Sequence, residues 1–141
     1  MEEEMRSLIE NYCKNQEKLE KLQAKLIELL EYNTKVTASY GHNAGGGKGS
    51  VSSKVERHAL KIYDTQQQLM EIGNSLTMVD NAQKILTNRE NEVIDLVKIY
   101  KNKLTKIAKI IGRDKKYVFD TRNRSIRKMV AYIEQQHKEG R

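Results

Sequence analysis

The side chains able to do covalent or metal chemistry are few. One thiol, Cys13, and three imidazoles, His42, His58 and His137, are all the chain holds. Their separations match no metal-ligand spacing, and no His or Asp motif accompanies Cys13 to make it a nucleophile. His42 falls in a glycine-rich stretch, His58 on a polar helix and His137 in the tail, so each is expected at the surface. Cys13, next to Tyr12, is expected to pack on a helix or be exposed. The stretch Gly45–Gly49, four glycines and Lys48, invites comparison with the phosphate-binding pattern G-x-x-x-x-G-K-[ST]. Aligned on Gly47 and Lys48, it has His42 in place of the first glycine and Gly49 in place of the magnesium-binding hydroxyl, and no apolar strand precedes it. The residues therefore point to no enzyme, no metal and no cofactor.

What remains is electrostatic chemistry, and it is concentrated at one end. Residues 1–36 carry six Lys/Arg and eight Asp/Glu, and residues 37–100 carry seven of each. Residues 101–141 carry thirteen Lys/Arg against four acids, so the formal net charge of +7 arises there. A basic block of this kind attracts polyanions. It coincides with a pattern that narrows the choice. In LTKIAKIIGRDKKYVFDTRN, residues 104–123, Leu104, Ile107, Ala108 and Ile111 recur at helical spacing. Ala108 leaves room for a crossing helix, Gly112 permits a sharp helix exit, and Asp114 is placed to cap the next helix. Val118 then faces inward. Small residue, glycine four later and β-branched residue six after that is the spacing of a helix-turn-helix, whose second helix enters the major groove of DNA. Basic charge on that motif makes double-stranded DNA the expected partner.

These residues need a scaffold, and the composition predicts an all-α one. The chain has no proline, 6% aromatic and 32% charged residues, and no apolar run long enough to span a bilayer. The acidic start MEEEM is followed by no signal-peptide core, and a lone cysteine makes no internal disulfide, so a cytoplasmic location and no membrane partner are expected. Leu86-Thr87-Asn-Arg-Glu90 reads as a capping box opening a support helix whose apolar face is Val93, Ile94, Leu96, Val97 and Tyr100. Lys101–Lys103 is the connecting turn. The second helix of the motif continues with Ile126, Met129, Val130 and Ile133 inward, ringed by Arg122, Arg124, Arg127 and Lys128, and frays from Gln136.

Upstream, Leu8, Tyr12, Asn15, Leu19, Leu22, Leu26 and Leu29 alternate steps of four and three, a heptad seam on one helix from about Glu2 to Lys35. Asn15 in that seam either sets register or lies exposed. After the Gly-rich stretch, Ser53-Lys-Val-Glu56 reads as a capping box that restarts a helix. Its seam is Val55, Ala59, Ile62, Gln66, Leu69, Gly73 and Leu76, reaching about Asn81. An antiparallel hairpin and an intermolecular coiled coil both satisfy these seams, and a homo-oligomer, a dimer, through the long helices is expected. The expected divisions are an N-terminal heptad helix (1–36), a Gly-rich flexible linker (37–52), a second long helix (53–85) and the helix-turn-helix domain (86–141).

The segments LTNRENEVIDL, LTKIAKIIGRDKKYV and RNRSIRKM resemble the C-terminal, region 4-like domain of bacterial sigma factors. With the preceding YGHNAGGGKGSVSSKVERHALKI, the chain resembles the ArpU/RinA family of phage and prophage late-gene transcriptional regulators over about residues 37–130. The resemblance implies sequence-specific DNA binding upstream of packaging, morphogenesis or lysis genes, with RNA polymerase as a further partner. Carried across by position, the base readers fall on Lys115, Lys116 and Asp120, and backbone contacts on Phe119 and Arg124. Lys115 or Lys116 suits guanine and Asp120 suits cytosine N4. Lys103, Thr105, Arg113 and Arg127 are candidate phosphate contacts. Lys116 and Phe119 depart from the sigma pattern, so the target differs from an ordinary promoter element. Phe119 either touches a thymine methyl or packs locally. Two other readings remain open: a phage small packaging subunit that recognises DNA, and a sigma-like factor acting only with core polymerase.

Overall fold

A computed structural model describes residues 1–40 and 48–140, with the side chains of 1–32 and 53–140. The fold is all-α. Its helices are α1 (Glu2–Glu10), α2 (Tyr12–Tyr40), α3 (Lys48–Gln83), α4 (Asn88–Tyr100), α5 (Leu104–Ile111) and α6 (Lys115–Glu139). They form two compact units. One comprises Glu17–Gly73, and the other joins Met1–Gln16 to Asn74–Arg141. The first sixteen residues thus fold with the C-terminal part, which moves the expected boundaries at 36 and 86.

The expected single helix over 2–35 is broken at Asn11, whose backbone turns to φ −95°, ψ 7°. The Asn11 side-chain amide donates to the Ser7 carbonyl at 2.9 Å, the acceptor that also takes the Asn11 backbone amide at 3.0 Å. The break lets α1 pack on α4 and α6. Met5 and Ile9 are buried there, whereas Leu8 and Tyr12 of the expected seam are only partly covered. Of the expected linker over 37–52, residues 41–47, with His42 and the glycines 45–47, lie outside the described residues. Its flanks are helical: α2 reaches Tyr40, and α3 begins at Lys48 rather than at the Ser53 box.

In the 17–73 unit α2 and α3 lie side by side. His58 Nε2 donates to the Leu29 carbonyl at 2.6 Å, and its ring lies 4.6 Å from that of Tyr32. Seven residues before Leu29, Leu22 is buried, and seven after His58, Thr65 is buried. That is the register of an antiparallel pair. The α2 seam follows the expected positions. On α3 alternate rungs lie one residue earlier than expected: His58, Thr65 and Ile72 point inward with Ile62, Leu69 and Leu76, while Val55, Ala59 and Gln66 are exposed. Thr65 and His58 enter an apolar seam because each satisfies its polar atom on a helix carbonyl, Thr65 Oγ1 donating to Lys61 O at 2.8 Å. His58 is therefore a core side chain and not the surface histidine expected.

The other unit holds the main core, built from α1, the end of α3, and α4 to α6. Val93, Ile94 and Val97 of α4, Leu104, Ile107 and Ala108 of α5, and Val118, Ile126, Met129, Val130 and Ile133 of α6 bury together with Met5, Ile9, Val79 and Ala82. Thr87 caps α4 with both halves of the box formed, its Oγ1 accepting from Glu90 N at 3.3 Å and Glu90 Oε1 from Thr87 N at 3.0 Å. At the far end of α3, Gln83 Nε2 donates to Asp95 at 3.0 Å, and at the start of α2 the Tyr12 hydroxyl donates to Asp80 at 2.6 Å. Burial and that carboxylate push the Tyr12 phenol up to about 12. α6 does not fray at Gln136 but runs to Glu139. Among the described residues no helix is long and apolar enough to cross a membrane.

Candidate nucleic-acid interface

The turn between α5 and α6 sets the geometry of the basic end. Gly112 adopts φ 79°, ψ 30°, and the amides of Gly112 and Arg113 both return to the Ala108 carbonyl, at 2.9 and 3.1 Å. Only glycine takes this left-handed backbone without a steric penalty. Asp114 then starts α6, its Oδ1 accepting from Tyr117 N at 2.9 Å. α5 packs on α6 and both pack on α4, so the first turns of α6 are carried on a rigid three-helix support.

The resulting surface is cationic. Lys101, Lys103, Lys106, Lys109, Arg113, Lys115 and Lys116 are all exposed, and among the described residues none of them forms an ion pair. Two are held over rings instead: Lys106 Nζ lies 4.7 Å from the Tyr100 ring centre, and the Arg113 guanidinium 5.0 Å from that of Tyr117. Arg89 beside the Tyr117 hydroxyl holds that phenol below its ordinary value. Lys115 and Lys116 sit in the first turn of α6, which has no acid, whereas α1 opens with three glutamates and α4 with Glu90. A helix N-terminus carries positive potential, which the Asp114 carboxylate at the cap partly offsets, so Lys115 and Lys116 add positive charge beside it.

The nine residues singled out from sequence do not all share one environment. Lys103, Thr105, Arg113, Lys115, Lys116, Phe119 and Asp120 are exposed around α5 and the start of α6. Lys116, Asp120 and Arg127 share one stripe of α6 with Asn123, by their spacing of four, three and four. Phe119 is 45% exposed, with the Arg122 guanidinium 5.2 Å from its ring centre, so it lies at the surface beside a cation. Arg127 makes a loose pair with Glu2 at 3.9 Å. Arg124 is committed elsewhere: its Nε lies 3.4 Å from Glu90, which also holds Lys128 at 2.9 Å.

Two side chains gain roles that sequence reasoning missed. Glu90 is 2% exposed and caps α4 while pairing with both α6 cations. Burial alone pushes its carboxyl up, but the Thr87 amide, Lys128 and the Thr87 hydroxyl outweigh it and hold it at about 2. Arg122, one of the cations expected to ring the inward stripe of α6, is buried and donates from Nη1 to Asn102 Oδ1 at 3.0 Å, tying the α4–α5 turn to α6. Burial, with Arg6 nearby, lowers its pKa against the opposing pull of Glu10. A signal was present in the spacing, because Val118, Arg122 and Ile126 succeed one another by four and so share a face. Cys13 and His137 are exposed. Comparison of the chain with protein-family models, curated proteins and solved structures finds no match.

Proposed function

We propose that this chain is a sequence-specific, double-stranded-DNA-binding transcriptional regulator of the ArpU/RinA kind. In this reading it acts on phage or prophage late genes, with α5 and α6 as its helix-turn-helix. Lys115, Lys116 and Asp120 read bases, and Lys103, Thr105, Arg113 and Arg127 hold phosphates. The long helices serve oligomerisation, and polymerase is a second partner. The observation that carries the reading is the set of seven exposed cations, without an ion pair among the described residues, around a helix–turn–helix arrangement, two of them in the first turn of α6. Arg124 leaves the set of DNA contacts, since it pairs with Glu90.

The experiment is selection of sheared bacterial and prophage DNA by the purified chain at near-physiological salt, followed by sequencing and binding titrations on the enriched site. Enrichment of one site upstream of a late operon is expected, with affinity falling in salt, a logarithmic slope of about −3 for the three cationic phosphate contacts Lys103, Arg113 and Arg127. Lys116→Ala is expected to lose ~1–3 kcal/mol on that site and little on unrelated duplexes. Equal loss on every duplex would make Lys116 a phosphate contact. No enrichment with or without core polymerase would sink the proposal.

A further inference from the structure

The cations of the 17–73 unit are not spread around its two helices. Those with described side chains are Lys18, Lys21 and Lys25 of α2 and Lys54, Arg57 and Lys61 of α3, and all are exposed. Lys18, Lys25, Lys54 and Lys61 each stand four residues before a seam residue, in turn Leu22, Leu29, His58 and Thr65. Lys21 and Arg57 adjoin them at steps of three and four. In an antiparallel pair that heptad position of one helix borders the same position of the other, so every one of these cations lies on one flank. The acids occur on all sides: Glu28, Asp64 and Glu71 on this flank, Glu20 and Glu56 on the opposite one, Glu17 and Glu31 on the outer face.

Lys25 comes four residues before Leu29, and Lys61 three after His58, which meets the Leu29 carbonyl, so the two lysines stand level across the seam. Heptad flanks ordinarily join two helices through opposite charges. Here like charges face each other, and among the described residues none of the six cations forms an ion pair. Lys25, Lys54, Arg57 and Lys61 line one groove, and its only acid is Glu28. An anion seated there would relieve a repulsion that the free chain carries. We propose that this flank binds the phosphate backbone of duplex DNA, a sequence-independent contact additional to the helix–turn–helix.

Chemistry and spacing select the occupant. Lys54 and Lys61 are one heptad apart, about 10 Å along α3, and Lys25 lies across the groove, so the charges suit spaced phosphates rather than one small anion. Apolar surface in the groove is limited to the partly covered Leu29 beside the Tyr32 and His58 rings, too little to seat an acidic amphipathic helix. Single-stranded nucleic acid calls for a row of rings on which bases stack, and this flank exposes one, Tyr32. A straight, rigid, evenly charged duplex asks only for cations along a straight support. The proposal goes beyond the proposed function, which gives the long helices to oligomerisation, and a backbone contact needs no operator.

Fluorescence anisotropy of the full chain with a labelled random-sequence duplex of about 40 base pairs, over about 50–200 mM salt, tests it. On a duplex longer than the site, the flank adds to the salt slope of the helix–turn–helix contacts. Arg57→Ala with Lys61→Ala should keep the wild-type circular dichroism and urea midpoint, because no ion pair is lost. It should weaken duplex binding about 10- to 100-fold near 100 mM salt and lower the logarithmic slope by about 2. Lys25→Ala with Lys54→Ala should do the same, and Gln23→Ala with Gln66→Ala, on the opposite flank, should change neither. No duplex binding by the wild-type chain, or basic-flank variants that bind as it does, would overturn the proposal, as would an equal loss in the opposite-flank variant. So would flank-dependent binding of a single strand of the same length, or of phosphatidylcholine–phosphatidylserine vesicles, with duplex binding indifferent to the flank. A chain that binds random duplex through the flank but enriches no genomic site would overturn the helix–turn–helix reading alone. A chain that enriches a site while its random-duplex binding ignores the flank would overturn this proposal alone.

Discussion

Replacing Glu90 with glutamine separates the two things its carboxylate does. Glutamine retains an acceptor of the same reach for the Thr87 amide, so the α4 cap persists. It removes the charge facing Lys128 at 2.9 Å and Arg124 at 3.4 Å. Those cations have side chains 44% and 57% exposed, so they return to water and no buried charge is stranded. The native environment moves the Glu90 carboxyl from 4.5 to about 2. A folded-state value below the unfolded one means the stabilisation is complete above the unfolded pKa and is lost as pH falls through the folded one; here it amounts to about 3 kcal/mol. Of that, about 1 kcal/mol is gone by pH 4 and about 2 kcal/mol by pH 3. Urea unfolding followed by circular dichroism should therefore show Glu90→Gln less stable by about 3 kcal/mol at pH 7, the gap closing to about 1 kcal/mol at pH 3. A gap equally large at both pH values, or one under about 1 kcal/mol at pH 7, would refute the account of Glu90 as a buried, ion-paired carboxylate.

Four further outcomes follow from the backbone and the core, each read by the same unfolding assay. Gly112→Ala should cost about 1–2 kcal/mol although no atom lies within 4 Å of the added Cβ, because its φ of 79° is the whole penalty. Gly73→Ala, equally unobstructed but inside α3, should stabilise by about 0.5–1 kcal/mol, so the two glycines must give opposite signs. Lys101 holds φ 58°, ψ −123°, a region that strains a side chain, and Lys101→Gly should stabilise by about 1 kcal/mol; a loss would show that the lysine side chain matters more than its backbone. The raised phenol of Tyr12 supports the fold below pH 10, and about 2 kcal/mol of that support, allowing for its partial exposure, should vanish between the ordinary value of 10 and the folded value of about 12. Tyr12→Phe should abolish that alkaline loss, which unfolding midpoints measured across this range will reveal.

Elements whose signal is local were legible in the chain. The Thr87–Glu90 box, the Gly112 exit, the Asp114 cap and the apolar faces of α4, α5 and α6 all formed as their spacing predicts. The α2 seam also matched, because leucines at steps of three and four have no competing face. The α3 seam was misread on alternate rungs because Ala59 and Gln66 compete with His58 and Thr65, and the step of four from Val55 carried the expected register onto the former. What turned His58 and Thr65 inward was the availability of the carbonyls of Leu29 and Lys61, which no pattern of residue types displays. The same holds at the basic end. Its exposed cations on and beside α5 were countable in advance, but Arg124 looked no different from them.

Local propensity and charge, then, settled that the chain is helical, where α4, α5 and α6 begin, and that positive charge accumulates over 101–141. These depend on neighbours within a turn or on simple counting. Tertiary structure alone decided that Met1–Gln16 folds with Asn74–Arg141, that Arg122 locks a turn, and that Glu90 draws Arg124 and Lys128 out of the basic surface. Each of these rests on partners far apart in sequence, such as Glu90 and Lys128, whose distance only packing of the helices can set. A side chain's charge is written in the chain; whether that charge is spent inside the fold or offered to a partner depends on what the fold places beside it.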